Sequence, residues 1–187
     1  ERFPMDAVYG MHNWPGIAEG TFAVVDGPMM ASSNEFRVTV RGKGAHAAQP
    51  HRGIDPIMVA VQIAQAWQTI ISREKNPLLT AVLSITQIHA GSATNIIPDE
   101  AQLVGTVRTF TTEVLDLIER RMQEMADGIA AGFGATVDFG FKRKYPPLVN
   151  HTEQTAFAIE AMRAVVGPDA VNANVEPTMG AEDFAFM

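Results

Sequence analysis

Residues 35–56 read EFRVTVRGKGAHAAQPHRGIDP, Glu35 to Pro56, and the fold turns on how this stretch divides. Phe36, Val38 and Val40 alternate with Arg37, Thr39 and Arg41, the period-two pattern of a half-buried strand. At the far end Asp55 can cap and Pro56 can open a helix, because Ile57, Ala60, Val61, Ala64, Trp67 and Ile71 follow at helical spacing. The loop from Gly42 to Pro56 is therefore pinned at both ends. Gly42 and Gly44 permit backbone conformations that other residues avoid. His46 is followed only by Ala47 and Ala48, which leaves its imidazole free of bulky neighbours, and His51 supplies a second ring. Functional groups gather on loops held by a scaffold, although a loop histidine can equally be a solvated surface group.

Working outward, the spacing predicts a strand over 35–41, a helix over 55–72, strands over 79–89 and 101–110, a helix over 112–131 and a strand over 135–143. The second helix carries Val114, Leu117, Ile118, Met122, Met125 and Ile129 on one face, with Gly132 and Gly134 closing it. Val137, Phe139 and Phe141 alternate in the last strand. The order βαββαβ is that of a ferredoxin-like sandwich, an antiparallel sheet with two helices on one face.

The flanks predict less regular structure. Ala7–Met11 reads as a short strand entering a turn at His12–Gly16, and Thr21–Val25 as another strand before a turn at Asp26-Gly27-Pro28. Tyr145-Pro146-Pro147 reads as a stiff connector, followed by a helix from Thr152 to about Val166 that stops at Gly167-Pro168. The organisation expected is a closed α+β domain, residues 32–145, inserted between segments 1–31 and 146–187 of a second, α/β domain. No repeat or low-complexity segment interrupts it.

Hydrophobic residues make up 47% of the 187 and charged residues 19%, the balance of a globular protein. A net charge of −7 with no basic cluster larger than Lys142 to Lys144 argues against nucleic acid or an anionic membrane as partner and for a small molecule. The absence of cysteine rules out disulfides and thiolate ligands within these residues and fits a reducing, cytoplasmic compartment. Glu1 opens without an initiating Met and MGAEDFAFM closes in an apolar run, so a fragment of a longer chain is expected.

Several side chains could carry chemistry. His12 opens a turn after an apolar run, the position of a ligand at a strand's carboxyl end or of an ordinary hydrogen-bonded turn histidine. Arg108 lies among apolar neighbours in VGTVRTF, and a buried guanidinium needs either an internal carboxylate or a substrate carboxylate. Asn95 sits in the polar loop GSATNIIP before that strand. Glu182 and Asp183 are adjacent and so diverge in either regular structure, which makes them a poor acid–base pair; an acidic helix N-terminus accounts for both. His89 and His151 read as structural or surface groups.

Four ordered motifs, GMHNWPG, GKGAHAAQPHRGIDPI, IHAGSATNIIPDEAQLVGTVRTF and MGAEDFAF, resemble the amidohydrolase branch of the aminoacylase and carboxypeptidase metallopeptidases, which includes hippurate and N-acyl-amino-acid hydrolases. The resemblance covers essentially the whole chain. It implies a two-metal catalytic domain, zinc or manganese, interrupted by a ferredoxin-like lid that also forms a homodimer. On these motifs His12 resembles a metal-ligand histidine, and His46 the lid histidine that reaches the partner subunit's site and steadies the oxyanion. Asn95 and Arg108 resemble residues that grip the substrate carboxylate; His51 belongs to the motif without a clear role.

The departures are equally informative. The family's Cys-x-His motif, its adjacent glutamate pair and its final metal histidine do not occur here, and Glu182 takes at most an orienting or substrate-side role. One imidazole does not hold a catalytic metal, so this stretch alone is expected to bind none stably and to be inactive. The implied activity is metal-dependent hydrolysis of N-acyl amino acids in the intact enzyme. The alternatives are dipeptide or carbamoyl hydrolysis, or a non-catalytic dimerising module that binds carboxylates.

Overall fold

Alternation of apolar residues builds strands, and helical spacing builds the two helices that cover them. The computed structural model describes residues 5–187. In chain order its elements are β1 (Phe22–Ala23), β2 (Gly27–Met30), β3 (Ser33–Arg41), β4 (Ala45–His46), α1 (Pro56–Thr69), β5 (Ala81–Ala90), β6 (Ile96–Ile97), β7 (Glu100–Thr109), α2 (Thr112–Phe133), β8 (Thr136–Tyr145), β9 (Leu148–Asn150), α3 (Thr152–Val166) and β10 (Val171–Asn172). They fall into two compact units, Ser33–Lys144 and the described residues up to Ser32 together with Tyr145–Met187.

In the Ser33–Lys144 unit the sheet runs in the order β5-β7-β3-β8. β7 is antiparallel to both β3 and β5. Every second residue of β3 and β7 points inward: Phe36, Val38 and Val40 meet Leu103 and Val107, and the helices add Val59, Ile63 and Trp67 from α1 with Ile118, Met122 and Ala126 from α2. Each buried Val, Leu, Ile, Phe or Met side chain among them contributes about 1.5–3 kcal/mol. Trp67 lies edge-on to Phe36, ring centroids 5.3 Å apart, and its indole N–H donates to the Met122 carbonyl at 2.9 Å. That bond satisfies the one polar atom the ring brings into the core.

The helix expected over 55–72 is α-helical only as far as Thr69; Ile70–Glu74 then forms a wider π-turn. Glu74 on that turn pairs with Arg121 of α2 at 2.6 Å. Asp55 caps α1 as expected, its Oδ1 accepting from the Ile57 N–H at 2.9 Å, with Pro56 in the first turn.

The second unit is joined by short ladders between its two stretches of chain. β1 runs parallel to β10, β2 antiparallel to β9, and Met30 bridges to Thr178. Three expectations change here. Ala7–Met11 is exposed and pairs with no strand among the described residues, so the side-chain pattern alone does not make it one. Thr21–Val25 contributes only Phe22–Ala23, since β10 offers a partner of that length. Gly27 and Pro28 do not turn but begin β2, and the residues after the Tyr145–Pro147 connector form its partner β9, with Tyr145 itself ending β8. Proline is tolerated in such a strand at the edge of a two-stranded pair.

Candidate functional site

The glycine loop brings His46 and Asn95 together. β4 pairs with β6, placing His46 opposite Ile96, and the Ala47 N–H donates to the Asn95 carbonyl at 2.9 Å. His46 is exposed, and its Nδ1 accepts the Ala48 N–H at 3.1 Å. A nitrogen that accepts carries no proton, so the neutral ring is the Nε2–H tautomer. The imidazole thus presents a donor away from its own loop. His51 lies exposed in a 3-10 turn, Pro50–Arg52.

Gly42 and Gly44 are needed for close approach. A β-carbon at Gly42 would lie 2.2 Å from the Ile54 carbonyl oxygen, and one at Gly44 would lie 2.9 Å from Asp99 Oδ1. Between them Lys43 exchanges two hydrogen bonds of 2.9 Å with Ile54, closing the loop on itself.

Arg108 differs from its expectation. It is half-buried rather than buried, because it shares with Gln102, Val104 and Thr106 the sheet face turned from the helices. The positive charge of Arg108 contributes to holding the Glu35 carboxyl below its usual range, after the larger effects of the hydrogen bond and charge of Lys144 and the charge of Lys142. At about 3.3 Å per residue the strand from Glu100 to Arg108 spans roughly 26 Å. Arg108 is therefore at the opposite end of β7 from the loop that holds Asn95 and His46, and one copy of the unit does not bring the three together.

In the other unit His12 meets Glu182, Nδ1 to Oε2 at 2.9 Å, with the Trp14 ring edge-on at 5.5 Å. Glu182 precedes the short 3-10 turn Asp183–Phe186 and accepts from the Asp183 N–H at 3.0 Å. Hydrogen bonding to Asp183 lowers the Glu182 carboxyl below its usual range, and the adjacent His12 adds to this. With Nδ1 engaged, His12 keeps Nε2 for another partner, the arrangement in which a carboxylate orients a metal-binding imidazole. The fit to a metal centre goes no further: among the described residues no group of three or more histidine, aspartate or glutamate side chains is placed to hold an ion. The His89 ring meets the Gln87 side chain at 3.1 Å, and the His151 carbonyl receives the Thr155 N–H at the start of α3.

Sequence reasoning missed Asp99. Its carbonyl accepts the Gly42 N–H and its carboxylate the Gly44 N–H, each at 2.8 Å. The pair Pro98-Asp99 reads as a turn, and only the adjoining Ile96-Ile97 hinted that a strand was being re-aimed.

A four-stranded sheet with two helices on one face, carrying an exposed histidine loop, is the part of the chain that a peptidase dimerisation domain matches. The chain belongs to the M20 peptidase family, whose peptidase dimerisation domain matches residues 31–132. It is 42% identical over 181 residues to the N-acetylcysteine deacetylase of Bacillus subtilis, covering 97% of this chain and 47% of that protein. It is 39% identical to the N-acyl-L-amino acid amidohydrolase of Geobacillus stearothermophilus over 80% of this chain and 40% of that one. The crystal structure of Bacillus subtilis YxeP, described as a dinuclear metal binding peptidase of the M20 family, superposes with a TM-score of 0.76 at 36% identity, covering 95% of this chain and 43% of that one. The chain spans about half the length of the curated relatives it matches, 47% in the first case. No helix among the described residues is long and apolar enough to cross a membrane.

Proposed function

We propose that the complete protein carrying these residues hydrolyses the amide bond of N-acyl amino acids, hippurate-like compounds included. It would work in the cytoplasm as a homodimer joined through the Ser33–Lys144 unit, with residues 32–145 acting as the lid of a catalytic domain to which 1–31 and 146–187 belong. The observation that carries this reading is the presentation of His46, an exposed ring with Nδ1 occupied by a backbone N–H and Nε2–H directed outward. Amide hydrolysis adds water to the acyl carbon, turns its oxygen into an oxyanion and then breaks the C–N bond to release an acid and an amine. One well-placed donor to that oxyanion is worth roughly 3 kcal/mol.

His46 of one subunit would supply this donor to its partner's site. Asn95, beside it, would hold the substrate carboxylate, and the Arg108 fork would do so bidentately. Since Asn95 and Arg108 lie at opposite ends of β7 in one copy, the two would converge on one substrate only as a pair from two subunits. His12, oriented by Glu182, is the single metal ligand these residues offer. Two divalent ions, zinc or manganese, would polarise the acyl carbonyl and acidify a water in the intact enzyme.

The test is an assay of the full-length protein on N-acetylcysteine, hippurate, a dipeptide and an N-carbamoyl amino acid, before and after chelation and with zinc or manganese restored. Metal-dependent release of the free amino acid from the N-acyl compounds is expected. His46→Ala should lower kcat roughly 100-fold with little change in KM. Preference for the dipeptide or carbamoyl compound moves the reaction within the family, and no turnover of any of them leaves a dimerising carboxylate-binding module.

A further inference from the structure

The strand pairing beside His46 contains a one-residue slip. Arg41 pairs with Glu100 at the end of the main sheet, whereas Ala45 pairs with Ile97 in the small ladder that follows. The outgoing strand thus uses one residue more than its partner between the two pairs, which is the definition of a bulge. Because side chains alternate, such a slip decides which face of the ladder His46 occupies. An unpaired extra residue ordinarily leaves a backbone group without a ladder partner. Here Asp99 closes the gap by accepting twice, the Gly42 N–H at its carbonyl and the Gly44 N–H at its side chain, both at 2.8 Å. Lys43, between the two glycines, is turned the other way and bonds to Ile54.

We propose that Asp99 is the positioning residue for His46: its carboxylate holds the bulge that sets the register of β4 on β6 and so aims the imidazole. The inference rests on the reading of His46 as the oxyanion donor. Asp99 acts on the ring through the backbone of Gly42 and Gly44, whose N–H groups it accepts. Three features support the assignment. The carboxylate accepts the Gly44 N–H, a β-carbon at Gly44 would collide with it at 2.9 Å, and the slip occurs at the two glycines whose N–H groups Asp99 receives. Asparagine keeps an oxygen at the accepting position; alanine removes it.

The experiment compares Asp99→Ala, Asp99→Asn and Gly44→Ala in the full-length protein, alone and with His46→Ala. Asp99→Ala and Gly44→Ala should each lower kcat about 10-fold or more with KM within about twofold, and Asp99→Asn should stay within about threefold of the parent. On the His46→Ala background, Asp99→Ala should cost nothing further, because it has no ring left to aim. Nitrogen-15 histidine spectra should report loss of the accepting Nδ1 signature at His46 in Asp99→Ala and its retention in Asp99→Asn. An additive loss of kcat in the double variant, or an unchanged His46 spectrum in Asp99→Ala, overturns the proposal. The spectra also separate it from the reading beneath: a His46→Ala enzyme with full kcat removes the oxyanion role, while the Asp99→Ala spectrum still decides whether Asp99 sets the ring.

Discussion

Single residues in this chain carry more than their type suggests. Trp67 is fully buried, fills the space between two helices and the sheet, and still finds an acceptor in the Met122 carbonyl. Trp67→Phe should therefore destabilise the protein by about 1.5–3 kcal/mol, through the lost donor and the lost volume. A urea unfolding midpoint unchanged from the parent would refute this. Gly105 admits the Phe36 ring, whose Cζ lies 2.4 Å from where a β-carbon would stand. Arg108 teaches the opposite lesson. Its apolar sequence neighbours suggested burial, yet strict alternation in β7 sends every even-numbered residue to the open face, so period two was the better guide than local hydrophobicity.

At the level of elements, long periodic segments were legible and short ones were not. β3, β7, α1 and α2 each bury a regular face and β8 half-buries one, whereas β5 buries only Leu83 and is exposed from Thr86 to Ala90; the order of these elements follows from the sequence pattern. β4, β6, β9 and β10 are two or three residues long and exist only because a distant segment pairs with them, which no local pattern records. The π-turn after α1 was hidden for a related reason: its ion pair to Arg121 is a tertiary contact. Of the candidate site, the exposure of His46 was readable from its alanine neighbours, whereas the Asp99 latch and the tautomer of the ring needed the register. The start of α1 was fully legible, and it carries a prediction. Asp55→Ala removes the cap on the Ile57 N–H and should cost about 1 kcal/mol, read as a lower urea midpoint with an unchanged m-value. No shift in the midpoint would mean that the cap is compensated by water.

For the molecule as a whole, exposed ion pairs set the response to acid rather than the overall stability. The Glu35 carboxyl is held below its ordinary value by its hydrogen bond from Lys144, and that of Glu124 by hydrogen bonds from Arg121 and then Arg120. A carboxyl with a depressed folded-state pKa adds stability that is present above the ordinary value of about 4.5 and is lost as pH falls through the lowered one. Stability should thus decline as pH falls below about 4.5, and a Glu35→Gln, Glu124→Gln double variant should flatten that decline while changing little at pH 7. Urea midpoints measured across this range test it, and identical slopes in parent and variant would exclude these carboxylates as the cause.

The ladders that tie β1 to β10 and β2 to β9 also impose a timetable. Each joins residues before Ser33 to residues after Lys144, as does the bond from the Asn150 amide to the Val25 carbonyl. None of these can form while the intervening chain is still being translated. The Ser33–Lys144 unit holds its whole core within its own boundaries, so it can close as soon as it leaves the ribosome. Once closed, it replaces a long floppy loop with a short rigid span and brings the early and late segments within reach of one another. The inserted unit would then act first as an internal folding template for the segments that flank it.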